Sequence, residues 1–211
     1  MKQQDVISHK FAALFLPSLV DRFLEPPPLP TNLPGFMTEE FQLNNPYLEM
    51  ISFVSHTPYF ARFLLSQDPA AGGGKKLIQA IAERLVALAP SWDRKMLDPP
   101  PDRDEGYYQS AASTPIQLLS TLLVIFVKEP KNSPLLIKAD TETGLISWLE
   151  IWERRHAREF LGRVSNRTLG QLRKEPQLMW EVMQMRRLLK NWDVCGKAGC
   201  DKATDLKACS R

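Results

Sequence analysis

Apolar residues recur at intervals of three and four along most of the chain, which is the spacing that places side chains on one face of an α-helix. The clearest series is Leu77, Ile78, Ile81, Leu85 and Leu88. No segment alternates apolar and polar residues between hairpin turns, as a half-buried strand would. The pattern predicts an all-α fold over residues 1–190, either an irregular helical bundle or an armadillo-like helical stack.

Proline and glycine mark the expected interruptions in the first half of the chain. The first helix is predicted over Asp5–Leu24, with a kink or restart at Pro17. Its apolar positions fall mostly on one broad face: Val6, Phe11, Leu14, Phe15, Val20 and Phe23. A proline-rich linker over residues 25–34 is predicted to be extended.

Further helix ends are predicted from capping residues. Asn45 followed by Pro46 predicts a helix start, with a bend at Pro58. Residues 70–74, AAGGG, are predicted to form a flexible connector.

Near the middle of the chain, residues 90–108 form a long polar stretch that is predicted to be a loop. Ser113–Thr114–Pro115 predicts the N-terminal cap of the next helix. Residues 131–134 are predicted to turn the chain. Two or three helices are then predicted, around Gly144–His156, Arg158–Leu172 and Pro176–Lys190.

The most apolar run, Ile116–Val127, spans 12 residues, whereas a transmembrane helix needs about 20. It therefore predicts a buried core helix. The N-terminal sequence MKQQDVISHK lacks the apolar region and cleavage site of a secretory signal. These features predict a soluble intracellular protein with no membrane contact, in the cytoplasm or the nucleus.

Familiar catalytic and nucleotide-binding motifs are absent from the sequence, which predicts a protein without enzymatic activity. His9, His56 and His156 lie far apart and are expected at the surface or at helix ends. The run Gly72–Lys76, GGGKK, lacks the strand and the Ser/Thr of a phosphate-binding loop, so it is interpreted as a linker.

Residues 150–190 contain 10 Lys/Arg against 5 Asp/Glu, a local excess of positive charge. This segment could contact an acidic partner, but the solvated faces of basic helices explain it better. Trp148, Trp152 and Trp180 have helical spacing and are expected in the core. With a net charge of only +3, the chain is not expected to bind nucleic acid.

The three cysteines, Cys195, Cys200 and Cys209, all lie near the C-terminus. An odd number of clustered thiols does not predict a disulfide framework and favours metal binding in a reducing compartment. The two glycines between Cys195 and Cys200 suit the tight turn of a zinc knuckle. A structural zinc ion needs four ligands, and no histidine follows position 156, so a complete finger cannot close within these residues.

The segment Trp192–Arg211, WDVCGKAGCDKATDLKACSR, resembles the opening of a MYND-type zinc finger, in particular of fingers that end large helical proteins in fungi. The resemblance implies that Cys195 and Cys200 belong to one zinc site and Cys209 to a second. Four residues separate the first pair instead of the commoner two. Residues 191–211 would then be the start of a truncated finger that binds zinc weakly or not at all by itself.

MYND-type fingers commonly dock proline-rich peptides, so the resemblance implies a non-enzymatic protein–protein interaction or regulatory protein. The sequence PPPLP at Pro26–Pro30 resembles the motifs that such fingers bind, although its composition alone indicates a stiff spacer. The alternative is a helical accessory part of a larger enzyme such as a SET-type methyltransferase. No SET cofactor or catalytic motif occurs in this sequence.

Overall fold

All regular secondary structure in the described part of the chain is α-helical. The structure is a computed structural model that describes residues 3–28, 40–65, 73–104, 106–126 and 136–175. Its helices are α1 (Gln3–Leu24), α2 (Pro46–Val54), α3 (Pro58–Leu65), α4 (Gly73–Leu97), α5 (Tyr107–Phe126), α6 (Ala139–Arg155) and α7 (Phe160–Leu172). The all-α prediction is confirmed for these residues.

The helices pair in chain order. α1 packs against α2 and α3, α4 packs against α5, and α6 packs against α7. These three groups also contact their neighbours along the chain, since α4 touches both α1 and α6, and α5 touches both α3 and α7. The described residues therefore form three helical hairpins, the first with a broken second helix, packed one after another.

One hydrophobic cluster connects the three hairpins, and all seven described helices contribute to it. Its largest fully buried side chains include Phe23, Phe60, Trp92, Phe126 and Trp152. Because fully burying one such side chain contributes roughly 1.5–3 kcal/mol, this shared core stabilises the hairpins as a unit.

The polar loop predicted over residues 90–108 is wrong at both ends. α4 continues through Pro90 to Leu97, and α5 already begins at Tyr107. A proline inside a helix costs about 3 kcal/mol or more, which is why the sequence suggested a break. Trp92, two residues beyond the proline, is fully buried, and its packing offsets that cost.

The N-terminal cap predicted at Ser113–Thr114–Pro115 is also wrong, because these residues lie inside α5. Ser113 is buried, and its hydroxyl donates to the carbonyl of Gln109 at 2.7 Å instead of capping the helix. The turns before it bury Tyr108 and Ala112, which extends the apolar face of α5 toward its N-terminus.

The buried core helix expected around Ile116 is present in α5. By length and composition α5 is the one helix in the described ranges that could cross a membrane, and 67% of its most apolar stretch is buried by the rest of the fold. It packs between α4 and α7 and also touches α2 and α3. α5 therefore has the surroundings of a core helix.

The first hairpin differs from its prediction at the two prolines, Pro17 and Pro58, and agrees with it at Asn45. α1 runs unbroken from its start to its end through Pro17, so the restart considered there is not observed. At the next helix, Asn45 is the N-cap and its side chain accepts from the Leu48 N–H at 3.0 Å, as predicted. The bend predicted at Pro58 is a full break between α2 and α3.

Other predicted boundaries shift by a few residues. α4 begins at Gly73, so two residues of the predicted connector 70–74 lie in its first turn. α6 begins at Ala139, five residues before Gly144. The end of the proline-rich linker, the turn at residues 131–134 and everything after residue 175 lie outside the described residues.

α7 ends in a Schellman motif that contains a lysine in the left-handed conformation. The N–H of Glu175 donates to the carbonyl of Gly170 at 2.9 Å, the N–H of Lys174 donates to the carbonyl of Gln171 at 3.2 Å, and Lys174 has φ 55°. A residue with a Cβ is strained there by roughly 1 kcal/mol.

We expect Lys174→Gly to raise the free energy of unfolding by about 0.5–1 kcal/mol, because it relieves this strain. Urea denaturation followed by circular dichroism measures the change. Arg173→Gly is the control: Arg173 lies in the right-handed region and forms an ion pair with Glu150, so glycine there should destabilise the protein. Equal effects of the two substitutions would contradict the prediction.

Candidate functional site

The largest group of exposed apolar side chains in the described residues lies on α1. Ile7, Leu14 and Phe15 are 59%, 72% and 49% exposed. Phe11 lies between them and is partly buried, with its ring centroid 5.0 Å from that of Phe15. We call these four residues the α1 stripe. Their spacing places them on one side of the helix over about two and a half turns.

The broad apolar face predicted for the first helix is in fact two faces. Ala12, Leu16, Val20 and Phe23 are almost completely buried and form the core side of α1. The α1 stripe lies on an adjacent side, where Ile7, Leu14 and Phe15 are exposed and Phe11 is partly buried. The predicted grouping of Leu14 and Phe15 with the core positions Val20 and Phe23 is therefore wrong.

Other exposed large apolar residues occur singly or in pairs on other elements: Met50, Phe53, Leu65, Leu97 and Phe160. Such scattered residues are normal on protein surfaces, whereas contiguous apolar groups commonly mark interaction sites. Lys10, exposed and four residues before Leu14, borders the α1 stripe with a positive charge.

α1 and α4 end in the same sequence pattern, which the periodicity did not reveal. Residues 17–28 read PSLVDRFLEPPP, and residues 90–101 read PSWDRKMLDPPP. Six of the 12 positions are identical, and the shared proline lies seven residues before the end of each helix. The C-terminal ends of the two long helices are therefore a short internal repeat with an offset of 73 residues.

Arg84 of α4 holds the C-terminal end of α1. Its guanidinium donates to the carbonyl of Phe23 at 2.8 Å and to that of Leu24 at 3.1 Å, and it lies 4.4 Å from the centre of the Phe23 ring. Both carbonyls belong to the last turn, where a cation also stabilises the helix dipole. Burial lowers the pKa of Arg84, but an arginine remains charged near neutral pH.

A second candidate site surrounds the buried carboxylate of Glu40. The hydroxyl of Tyr107 donates to it at 2.8 Å and that of Tyr108 at 3.2 Å, while Arg103 forms an ion pair at 3.4 Å. Arg103 and Lys95 lie 4.8 and 5.1 Å from the ring centres of Tyr107 and Tyr108 respectively. These contacts fix the connection between α4 and α5 against the residues that precede α2.

The Glu40 cluster favours a structural role over an acid–base role. Burial, together with the neighbouring Glu40 carboxylate, raises the pKa of Tyr107 and of Tyr108 to about 12. Both phenols therefore stay protonated near neutral pH and act as hydrogen-bond donors. A tyrosine with so high a pKa is a poor general base.

The raised pKa values predict a loss of stability at alkaline pH. Because each phenol has a higher pKa in the folded protein than the ordinary 10.0, its contribution is complete below pH 10 and is lost between pH 10 and about 12. Tyr107 and Tyr108 should titrate late in tyrosinate absorbance, and Tyr107→Phe and Tyr108→Phe should each remove one late-titrating group. Glu40→Gln should move both titrations to lower pH, and an unchanged titration would contradict this prediction.

The three histidines do not form a site. His56 is exposed, His9 is partly buried on α1, and His156 follows the end of α6, as expected for a helix-end histidine. His156 is nevertheless buried, and its Nδ1 lies 3.0 Å from the Glu159 carboxylate. Sequence spacing gave no signal for this short contact across the turn to α7.

The basic segment and its tryptophans are described only as far as residue 175. Arg154, Arg155 and Arg158 are exposed, and Arg155 forms an ion pair with Asp93 on α4. Trp152 is fully buried, which confirms the prediction for that residue; Trp148 is partly buried, and Trp180 lies outside the described residues.

The three predicted zinc ligands, Cys195, Cys200 and Cys209, also lie outside the described residues, so the structure does not position them. Within the described ranges no group of three or more His, Cys, Asp or Glu side chains could hold a metal ion. Zinc binding at the three cysteines stays a prediction.

No family model, no curated protein and no solved structure matches the chain. The function of this protein is therefore inferred from its own residues and contacts.

Proposed function

We propose that this is a non-enzymatic protein–protein interaction or regulatory protein of the cytoplasm or nucleus. The observation that carries the proposal is the α1 stripe: Ile7, Leu14 and Phe15 expose large apolar surfaces together on one side of a helix. Because exposed apolar surface is unfavourable in water, a contiguous group of this kind is typical of a binding surface.

Two further features support an interaction role. Three hairpins packed in chain order are consistent with an armadillo-like helical stack, an architecture that offers extended surfaces for partners. The resemblance of residues 191–211 to a MYND-type finger implies a second module for protein contacts, to which proline-rich peptides would bind.

Quantitative affinity purification tests the interaction role. Leu14→Ser combined with Phe15→Ser should lose specific partners of the wild-type chain while leaving the fold intact, because both side chains are about half exposed or more. Met50→Ser combined with Phe53→Ser removes similar exposed residues from α2 and serves as the control. Partners retained equally by both variants would contradict a role for the α1 stripe.

The proposed function includes zinc binding by Cys195, Cys200 and Cys209. These thiolates would supply part of two zinc sites, and an incomplete ligand set forfeits most of the binding free energy. We expect elemental analysis after dialysis to find well under one zinc ion per chain. Tight stoichiometric zinc that survives in the monomer would contradict this assignment of the ligands.

A further inference from the structure

The α1 stripe is, we propose, a docking site for an amphipathic helix of a partner protein, one that presents large apolar residues at i, i+4 and i+7. This inference rests on the proposed interaction function and specifies the kind of partner. Its evidence is the internal repeat, which shows how the equivalent face of another helix in the same fold is occupied.

The offset of the repeat relates the α1 stripe to a mostly covered face of α4. With the offset of 73 residues continued toward the N-terminal ends of both helices, the four residues of the α1 stripe correspond to Ala80, Arg84, Ala87 and Leu88. Leu88 is buried, Ala80 packs against the core and Arg84 holds the end of α1, whereas Ala87 is exposed. On α4 three of these four positions are therefore covered or contact the preceding hairpin, whereas on α1 three of the four carry exposed large apolar side chains.

The size of the α1 stripe favours one partner helix over a second copy of this chain. From Ile7 to Phe15 it extends about 12 Å along the helix axis. Its four side chains offer apolar surface on the order of 300–400 Å², given the usual areas of large side chains. A stable symmetric dimer needs about 800 Å² from each protomer, but an amphipathic helix can bind through two or three apolar anchors.

The chemistry around the α1 stripe further specifies the partner helix. Phe11 occupies the position on α1 that Arg84 occupies on α4. The α1 stripe therefore has an aromatic ring where α4 has the cation that donates to the carbonyls at the end of α1. The exposed Lys10 borders the stripe near Leu14. A partner helix with an apolar face and an acidic residue at one edge would match both features.

Fluorescence anisotropy with a designed peptide tests the proposal. The probe is a labelled helical peptide of about 18 residues with leucine at i, i+4, i+7 and i+11 and glutamate beside the leucines, long enough to span the stripe. A control peptide has the same composition with the leucines distributed around the helix. We expect saturable binding of the first peptide only, and a loss of affinity of about tenfold or more for Leu14→Glu or Ile7→Glu.

Leu97→Glu changes an exposed leucine away from the α1 stripe and should bind the probe like the wild type. Equal binding of both peptides, or equal loss in all three variants, would overturn the proposal. So would a dimer in analytical ultracentrifugation that Leu14→Glu dissociates, since a second copy would then be the occupant. If cellular partners are lost on mutating the α1 stripe but the probe peptide does not bind, the proposal of a helical partner is wrong, while the proposed interaction function stands.

Discussion

Replacing Gly162 with alanine is expected to lower the free energy of unfolding by at least about 3 kcal/mol. Gly162 lies in the first turn of α7, where a Cβ would stand 2.1 Å from the carbonyl oxygen and 2.4 Å from the carbonyl carbon of His156. These are backbone atoms at the end of α6, so the clash cannot be relieved by rotating a side chain. Urea denaturation followed by far-ultraviolet circular dichroism measures the change.

Gly144→Ala is the matched control, because Gly144 is also a helical glycine at an interface. Its Cβ would stand 3.1 Å from Cγ1 of Val86, the end of a side chain, and alanine favours the helix by about 1 kcal/mol. We expect its stability to stay within about 1 kcal/mol of the wild type. If Gly162→Ala were as mild as Gly144→Ala, the close approach of α6 and α7 at His156 would be incorrect.

The sequence predicts where the helices of the hairpins lie, but it does not predict all of their ends. Helical spacing correctly predicts α4 from Leu77 to Leu88, because a buried stripe repeats every three or four residues. It misplaces the end of α4, since the cost of Pro90 is visible in the sequence but the burial of Trp92 depends on the neighbouring helices. Local signals therefore located the helices better than their ends.

The α1 stripe was harder to predict for a related reason. Periodicity reports which residues share a side of a helix, but it does not report whether another element covers that side. Phe15 and Leu16 are adjacent apolar residues, yet Phe15 is 49% exposed and Leu16 is fully buried. The repeated PPP endings of α1 and α4 were the available sequence signal, and they become informative once the packing of Arg84 on α1 is known.

Trp152 joins the second and third hairpins by both packing and a hydrogen bond. Its side chain is fully buried in α6, and its indole N–H donates to the carboxylate of Asp93 on α4 at 3.1 Å. Arg155 donates to the same carboxylate oxygen, so the charge of Asp93 is balanced at the edge of the core. The α4–α6 contact thus combines an aromatic core residue with a partly exposed ion pair.

We expect Trp152→Ala to lower the free energy of unfolding by about 3–5 kcal/mol, because it leaves a large cavity and removes one donor from Asp93. Trp152→Phe keeps an aromatic ring and should cost less, about 1–3 kcal/mol. Chemical denaturation followed by circular dichroism measures both changes without relying on tryptophan fluorescence.

Trp148 provides the control, since it lies one turn earlier on α6, with its ring centroid 6.1 Å from that of Trp152, and is only partly buried. Trp148→Ala should therefore cost clearly less than Trp152→Ala. The cost of Trp152→Phe in free energy of unfolding is measured in the wild type and again in the Asp93→Ala variant. The difference between the two costs isolates the hydrogen bond, because Asp93→Ala removes its acceptor. Additive effects in that cycle would show that Trp152 joins the hairpins through packing alone.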